Sequence, residues 1–124
     1  MEETKTGCSC NEIAEKVVMS CSGQSDLGEL TDLVARKLKK NNDRTMKCLA
    51  QVAIDNKALI ESLKSSNLLI LDGCPVDCAK KIAEKAGLSG FAYIRMTDLG
   101  YKKNQTSINE ETVNAVYEVA KTYV

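Results

Sequence analysis

The sequence predicts a small α/β domain, a Rossmann/flavodoxin-like three-layer sandwich with a mostly parallel sheet of about four strands. Three observations carry that expectation. Short β-rich or wholly apolar runs recur at Val17-Val18-Met19, Leu68-Leu69-Ile70-Leu71 and Phe91 to Met96. Stretches with apolar residues at helical spacing follow them. Strand and helix alternate four times along the 124 residues, and such alternation implies parallel strands joined by right-handed crossovers. The chain is long enough for one core, and its 44% apolar content argues against disorder.

Taken in order, residues 1–14 are polar and read as a flexible leader carrying Cys8 and Cys10, with the domain spanning 15–124. Val17 to Met19 form the first strand, which ends at Cys21. Ser22 to Asp26 are turn and capping residues, and Asp26 with Glu29 resembles a capping box. Leu27, Leu30, Val34 and Leu38 then mark a helix to about Lys40, where Asn41-Asn42-Asp43 stops it. Lys37 to Lys40 read as a solvated helix end favoured by the dipole. Thr45 to Ala50 is ambiguous, with a short edge strand centred on Met46 to Leu49 that contains Cys48. A helix is expected from Val52 or Asp55 to Leu63, ended by Ser65-Ser66-Asn67. Leu68 to Leu71 are the clearest strand, followed by the corner Asp72-Gly73-Cys74-Pro75-Val76-Asp77-Cys78. Pro75 suits a first helical position, since its φ is preset and it has no N–H to leave unpaired. The helix runs through Ala79, Ile82, Ala83 and Ala86 to Gly87. Phe91 to Met96 form the last strand, Thr97 to Ser107 a polar connection, and Asn109 caps a helix with Val113, Val116, Tyr117, Ala120 and Val124 on its buried stripe.

Composition excludes several roles. Aromatic residues make up 4%, Trp is absent, and Lys+Arg equals Asp+Glu at 17 each. Those numbers argue against a nucleic-acid or membrane-surface partner. No apolar run reaches membrane-spanning length, and Met1 to Lys16 show no signal-peptide h-region, so a cytoplasmic location is expected.

The six cysteines are the anomaly, and His is absent. A reducing compartment disfavours a disulfide scaffold and gives weight to metal or redox use. Without His, a zinc site here must rely on sulfur. Cys21 and Cys74 both fall at the carboxyl end of a strand, before a helix start. The positive end of a helix dipole there favours anionic sulfur, the form that binds metal or attacks electrophiles. A flavodoxin-like strand order sets the strands ending near Cys48 and Cys74 on either side of the first strand, so Cys21, Cys48 and Cys74 converge at one sheet edge. Cys78, one turn into its helix, faces the same point.

Four segments occur in order: the Cys-Ser-Gly loop at Cys21 with Gly28 after it, Lys-Cys-Leu-Ala at Cys48, Asp-Gly-Cys-Pro-Val-Asp-Cys-Ala-Lys-Lys at Asp72 to Lys81, and Asp-Leu-Gly at Asp98 to Gly100. In these the chain, from about Val17 onward, resembles the DGC-domain family of zinc-binding proteins. That resemblance implies a zinc site formed by Cys21, Cys48, Cys74 and Cys78, with Cys8 and Cys10 outside it. It implies no reaction.

Blander and rival readings stand beside this one. Any single Cys can be a small buried hydrophobe. Cys74 and Cys78, three residues apart, could instead form a redox pair, with Cys8 and Cys10 as mobile resolving thiols. The loop Cys21 to Ser25 before a helix could cradle an anion, but no Arg follows until Arg36, which argues against phosphatase chemistry. Asp72 and Asp77 could supply oxygen ligands or a base, although such residues more often satisfy backbone N–H groups at a turn. Leu99 to Lys102 lie at the same edge and could cover the site.

Overall fold

A computed structural model describes residues 14–123. Cys8, Cys10, Val124 and the expected leader before residue 14 lie outside the described residues. Four strands, β1 (Lys16–Ser20), β2 (Thr45–Met46), β3 (Asn67–Asp72) and β4 (Ala92–Arg95), form one sheet in the order β2-β1-β3-β4. Every neighbouring pair is parallel. Five helices accompany them: α1 (Asp26–Lys40), α2 (Leu49–Ala53), α3 (Lys57–Lys64), α4 (Cys78–Lys85) and α5 (Glu110–Ala120). A 3₁₀ turn, Met96–Leu99, follows β4. This is the α/β architecture and strand order that the sequence predicts.

The three layers follow from period-2 alternation along the central strands. Val18, Leu69 and Leu71 pack toward α1 and α5. Val17, Met19, Leu68 and Ile70 pack toward α2, α3 and α4. Because both faces are covered, these strands read as continuous apolar runs and not as alternating ones. Each such side chain gains about 1.5–3 kcal/mol on full burial, so β1 and β3 anchor the sheet. β2, with Met46 only half-buried, contributes little.

Several boundaries differ from the sequence reading. Ser25, not Asp26, caps α1: its hydroxyl accepts from the Gly28 N–H at 3.2 Å. Asp26 is thereby released for other contacts. The edge strand shrinks to Thr45–Met46, and Cys48 falls beyond it at the start of α2. The single helix expected up to Leu63 is two. Asp55 adopts a left-handed φ of 65°, and Asn56 caps a fresh helix by accepting from the Leu59 N–H at 3.2 Å. Pro75 is not at a helix start. It occupies the second position of a turn closed by the Asp77 N–H bonding to the Cys74 carbonyl at 3.1 Å, a position that suits its preset φ equally well. Asp77 then turns left-handed (φ 58°), so α4 begins at Cys78, which is the first helical residue and not one turn inside. β4 is shorter than expected, with Phe91 before it and Met96 opening the 3₁₀ turn.

Arg44 has no counterpart in the sequence reading. It is only 5% exposed, and its guanidinium donates to the carbonyls of Val17 (3.0 Å), Asn67 (2.8 Å) and Tyr123 (2.8 Å). It ties the amino ends of β1 and β3 to the residues after α5. Burial lowers its pKa, and the negative charge of the neighbouring Asp43 opposes that shift.

Candidate functional site

The carboxyl ends of β1 and β3 are adjacent, and their helices depart to opposite faces of the sheet, which leaves a crevice at the switch in strand order. Cys21 extends β1 by one ladder bond, its N–H donating to the Leu71 carbonyl at 3.0 Å. Two glycines let the loops close over this point. A Cβ on Gly28 would stand 2.4 Å from the Gly23 carbonyl oxygen, and one on Gly73 would stand 2.9 Å from the Leu27 Cβ. Gly28 thus permits the Cys21 loop to fold onto α1, and Gly73 permits the Cys74 corner to pack against the same helix.

The result is a cavity of about 530 Å³ whose wall includes Cys21, Cys74 and Cys78 together with Asp72, Asp77 and Lys103. Cys21 and Cys74 are half-buried, and Cys78 is exposed. Cys48 is exposed and lines a neighbouring cavity, which it shares with Cys21. Three of the four expected ligands therefore face one space, and the fourth is linked to them through Cys21. Among the described residues, no three Cys, Asp or Glu side chains are grouped closely enough to hold an ion. The donor set itself fits zinc, which takes thiolate ligands readily and needs no His. Of the four expected ligands, Cys21, Cys74 and Cys78 are the ones that line one cavity, and Cys48 stands apart from them in the next.

The residues that shape the corner are those the sequence reading valued least. Asp72 is 1% exposed, and its carboxylate accepts from the N–H groups of Ala79 (2.9 Å) and Lys80 (3.0 Å). It thus caps α4 from the preceding strand, the backbone role expected of it. Asp77 departs from that role. It makes no side-chain cap bond and instead accepts from Arg95 Nε (2.8 Å) and Nη2 (2.7 Å) in a two-point ion pair. The Tyr93 hydroxyl lies between the two carboxylates, 2.7 Å from Asp77 and 2.9 Å from Asp72, with one proton to serve both. The Arg95 hydrogen bonds hold the Asp77 carboxyl below its usual pKa. Burial, then the two carboxylates, push the Tyr93 phenol above its usual value. The bonds to Asp77 raise that of Arg95. Tyr93 and Arg95 alternate on β4, so they share a face, and the register Asp72↔Arg95 sets them beside the corner. That period-2 pair of polar residues in Phe91 to Met96 was the available signal.

Thr31 is the other residue the sequence reading passed over. Fully buried in α1, it donates its hydroxyl proton to the Gly28 carbonyl at 2.7 Å and accepts from the Ser22 N–H at 3.2 Å. Its oxygen lies 3.5 Å from the Cys21 sulfur, and with its proton already used it can only accept from the Cys21 S–H. Ser22 itself is left-handed (φ 49°), as Asp77 is, so each of two thiols has a strained neighbour.

The connection after β4 reaches this edge through Lys103 and Asn104, which line the cavity, whereas Leu99 to Lys102 do not. Asp26 pins it, accepting from the N–H groups of Asn104 (2.9 Å) and Thr106 (3.0 Å). Those bonds, the one from Asn104 foremost, lower its pKa from the usual 3.8. A depressed folded-state pKa gives stability that is present above the unfolded value and lost as pH falls through the folded one. The melting-temperature gap between the protein and Asp26→Asn should therefore be constant above about pH 5 and narrow below about pH 4. A gap unchanged down to about pH 3 would show that the negative charge of Asp26 is not what makes the pin stabilising.

Residues 17–120 match the DGC domain. The chain belongs to the DGC domain family. This DGC domain is also 30% identical over 88 residues to the anaerobic and virulence modulator AnvM of Pseudomonas aeruginosa, a match covering 70% of this chain and 67% of that one. No solved structure matches the chain significantly. None of the helices among the described residues is long and apolar enough to cross a membrane.

Proposed function

We propose that this DGC domain binds zinc at the carboxyl edge of its sheet through Cys21, Cys74 and Cys78, with Cys48 as fourth thiol, in the reducing cytoplasm. The observation that carries the reading is the shared cavity: three thiols from two separate strand–helix corners line one space. Sequence-adjacent thiols would need no such convergence. The sheet and its two apolar layers supply a core without the metal, so the ion is bound for use or sensing more than for folding. The likeness to a protein named as a modulator supports a regulatory binding role.

Metal analysis of the reduced full chain tests this. About one zinc per chain is expected, lost in Cys74→Ser. With cobalt in its place, the thiolate charge-transfer bands should weaken with each ligand removed, Cys48→Ser included. Unchanged bands in Cys48→Ser would reduce the ligand set to three.

A second reading has one specific observation behind it. Cys74 and Cys78 bracket a tight turn and line the same cavity. A disulfide between them, resolved by Cys8 or Cys10, would make this a thiol redox protein. Metal-free protein with a reversible Cys74–Cys78 disulfide would favour it and sink the zinc reading.

A further inference from the structure

The cavity that adjoins the thiol site through Cys21 has a different character. It is a half-open hollow of about 590 Å³, a size suited to a small molecule. Arg36 and Lys39 from α1 and Lys47 after β2 line it, together with Cys48. Against these three cations stands one lining carboxylate, Asp32, and that group is already engaged. Its Oδ2 accepts from Arg36 Nε at 2.6 Å and its Oδ1 from the Ser22 hydroxyl at 2.9 Å. The contact orients the guanidinium through Nε and leaves the Nη edge for another acceptor. Among the described residues, Lys39 and Lys47 join no ion pair. The chain as a whole is neutral, with 17 residues of each sign, so this concentration of positive charge is local.

We propose that this second cavity is a binding site for a small dianion, a dicarboxylate or a phosphate, held by Arg36, Lys39 and Lys47. A planar guanidinium fixed on one edge presents paired donors that match a carboxylate or phosphate, and the two ammonium groups supply further charge. The ligand lies beside Cys48 and Cys21, and its binding does not depend on the zinc reading.

The test is amide chemical-shift titration of the reduced full chain with succinate, with inorganic phosphate, and with neutral succinamide, each with and without zinc. Saturable shifts centred on Arg36, Lys47, Cys48 and Leu49 are expected for at least one dianion and not for succinamide. Which dianion saturates first identifies the ligand chemistry. The Arg36→Gln/Lys39→Gln/Lys47→Gln variant should bind about tenfold more weakly or worse, since one charge-assisted hydrogen bond is worth roughly that factor. Arg36→Gln alone should show part of the loss and serves if the triple variant misfolds. Shifts that do not saturate, that persist in the variants, or that succinamide reproduces would overturn the site. So would binding that occurs only with zinc present, because the anion would then be a metal ligand.

Discussion

Asp72→Ala should lower stability by about 3 kcal/mol or more, because each hydrogen bond to a charged group is worth about 1.5–3 kcal/mol and two are lost. The buried N–H of Ala79 and the half-buried N–H of Lys80 lose their acceptor, and the amino end of α4 loses the anion that complements its dipole. The Tyr93 hydroxyl is left with Asp77 alone. For a domain of this size the melting temperature should fall by roughly 10 °C. Asp72→Asn should also destabilise, since one amide oxygen can serve one N–H while its NH₂ meets the other donor to donor. Hydrogen exchange at Ala79 and Lys80 should quicken in both variants. A loss within about 0.5 kcal/mol for Asp72→Ala would mean that Asp72 does not hold the helix start.

Gly28→Ala should cost about 1–3 kcal/mol, the usual range for forcing atoms into a packed site. The methyl group would meet Gly23 backbone on three atoms, at 2.4 to 2.6 Å, and backbone cannot swing aside as a flexible side chain can. The loop carrying Cys21 must shift instead, so any metal affinity that depends on Cys21 should fall with stability. Gly23→Ala is the matched control: its added Cβ meets nothing within 4 Å, and its effect should stay within about 0.5 kcal/mol. Equal effects from the two substitutions, measured by denaturant unfolding, would remove close packing as the reason for glycine at position 28.

Much of this molecule was legible in one dimension. Leu68 to Leu71 form a strand wherever they are read, because four consecutive apolar residues need cover on both faces. Cys21 and Cys74 sit at strand ends because the turn residues after them are local signals. The helix breaks were harder. Apolar spacing persists across Ile54, yet Ile54 is 76% exposed and Asp55 turns left-handed beside it. Pro75 fitted two positions with the same φ, and only the chain's path chose the turn over the helix start.

The sequence by itself determined the α/β class, the parallel sheet, and the delivery of cysteines to its carboxyl edge. Periodicity and turn chemistry act over a few residues, and strand–helix alternation leaves few ways to cover the apolar faces. Tertiary structure alone decided that Cys21, Cys74 and Cys78 share a cavity while Cys48 lines the next. It alone set Arg95 against Asp77, eighteen positions away, and sank Arg44 among backbone carbonyls. Those outcomes depend on the register between neighbouring strands and on how closely two loops approach. Both are set by packing across the sheet and leave no periodic trace along the chain.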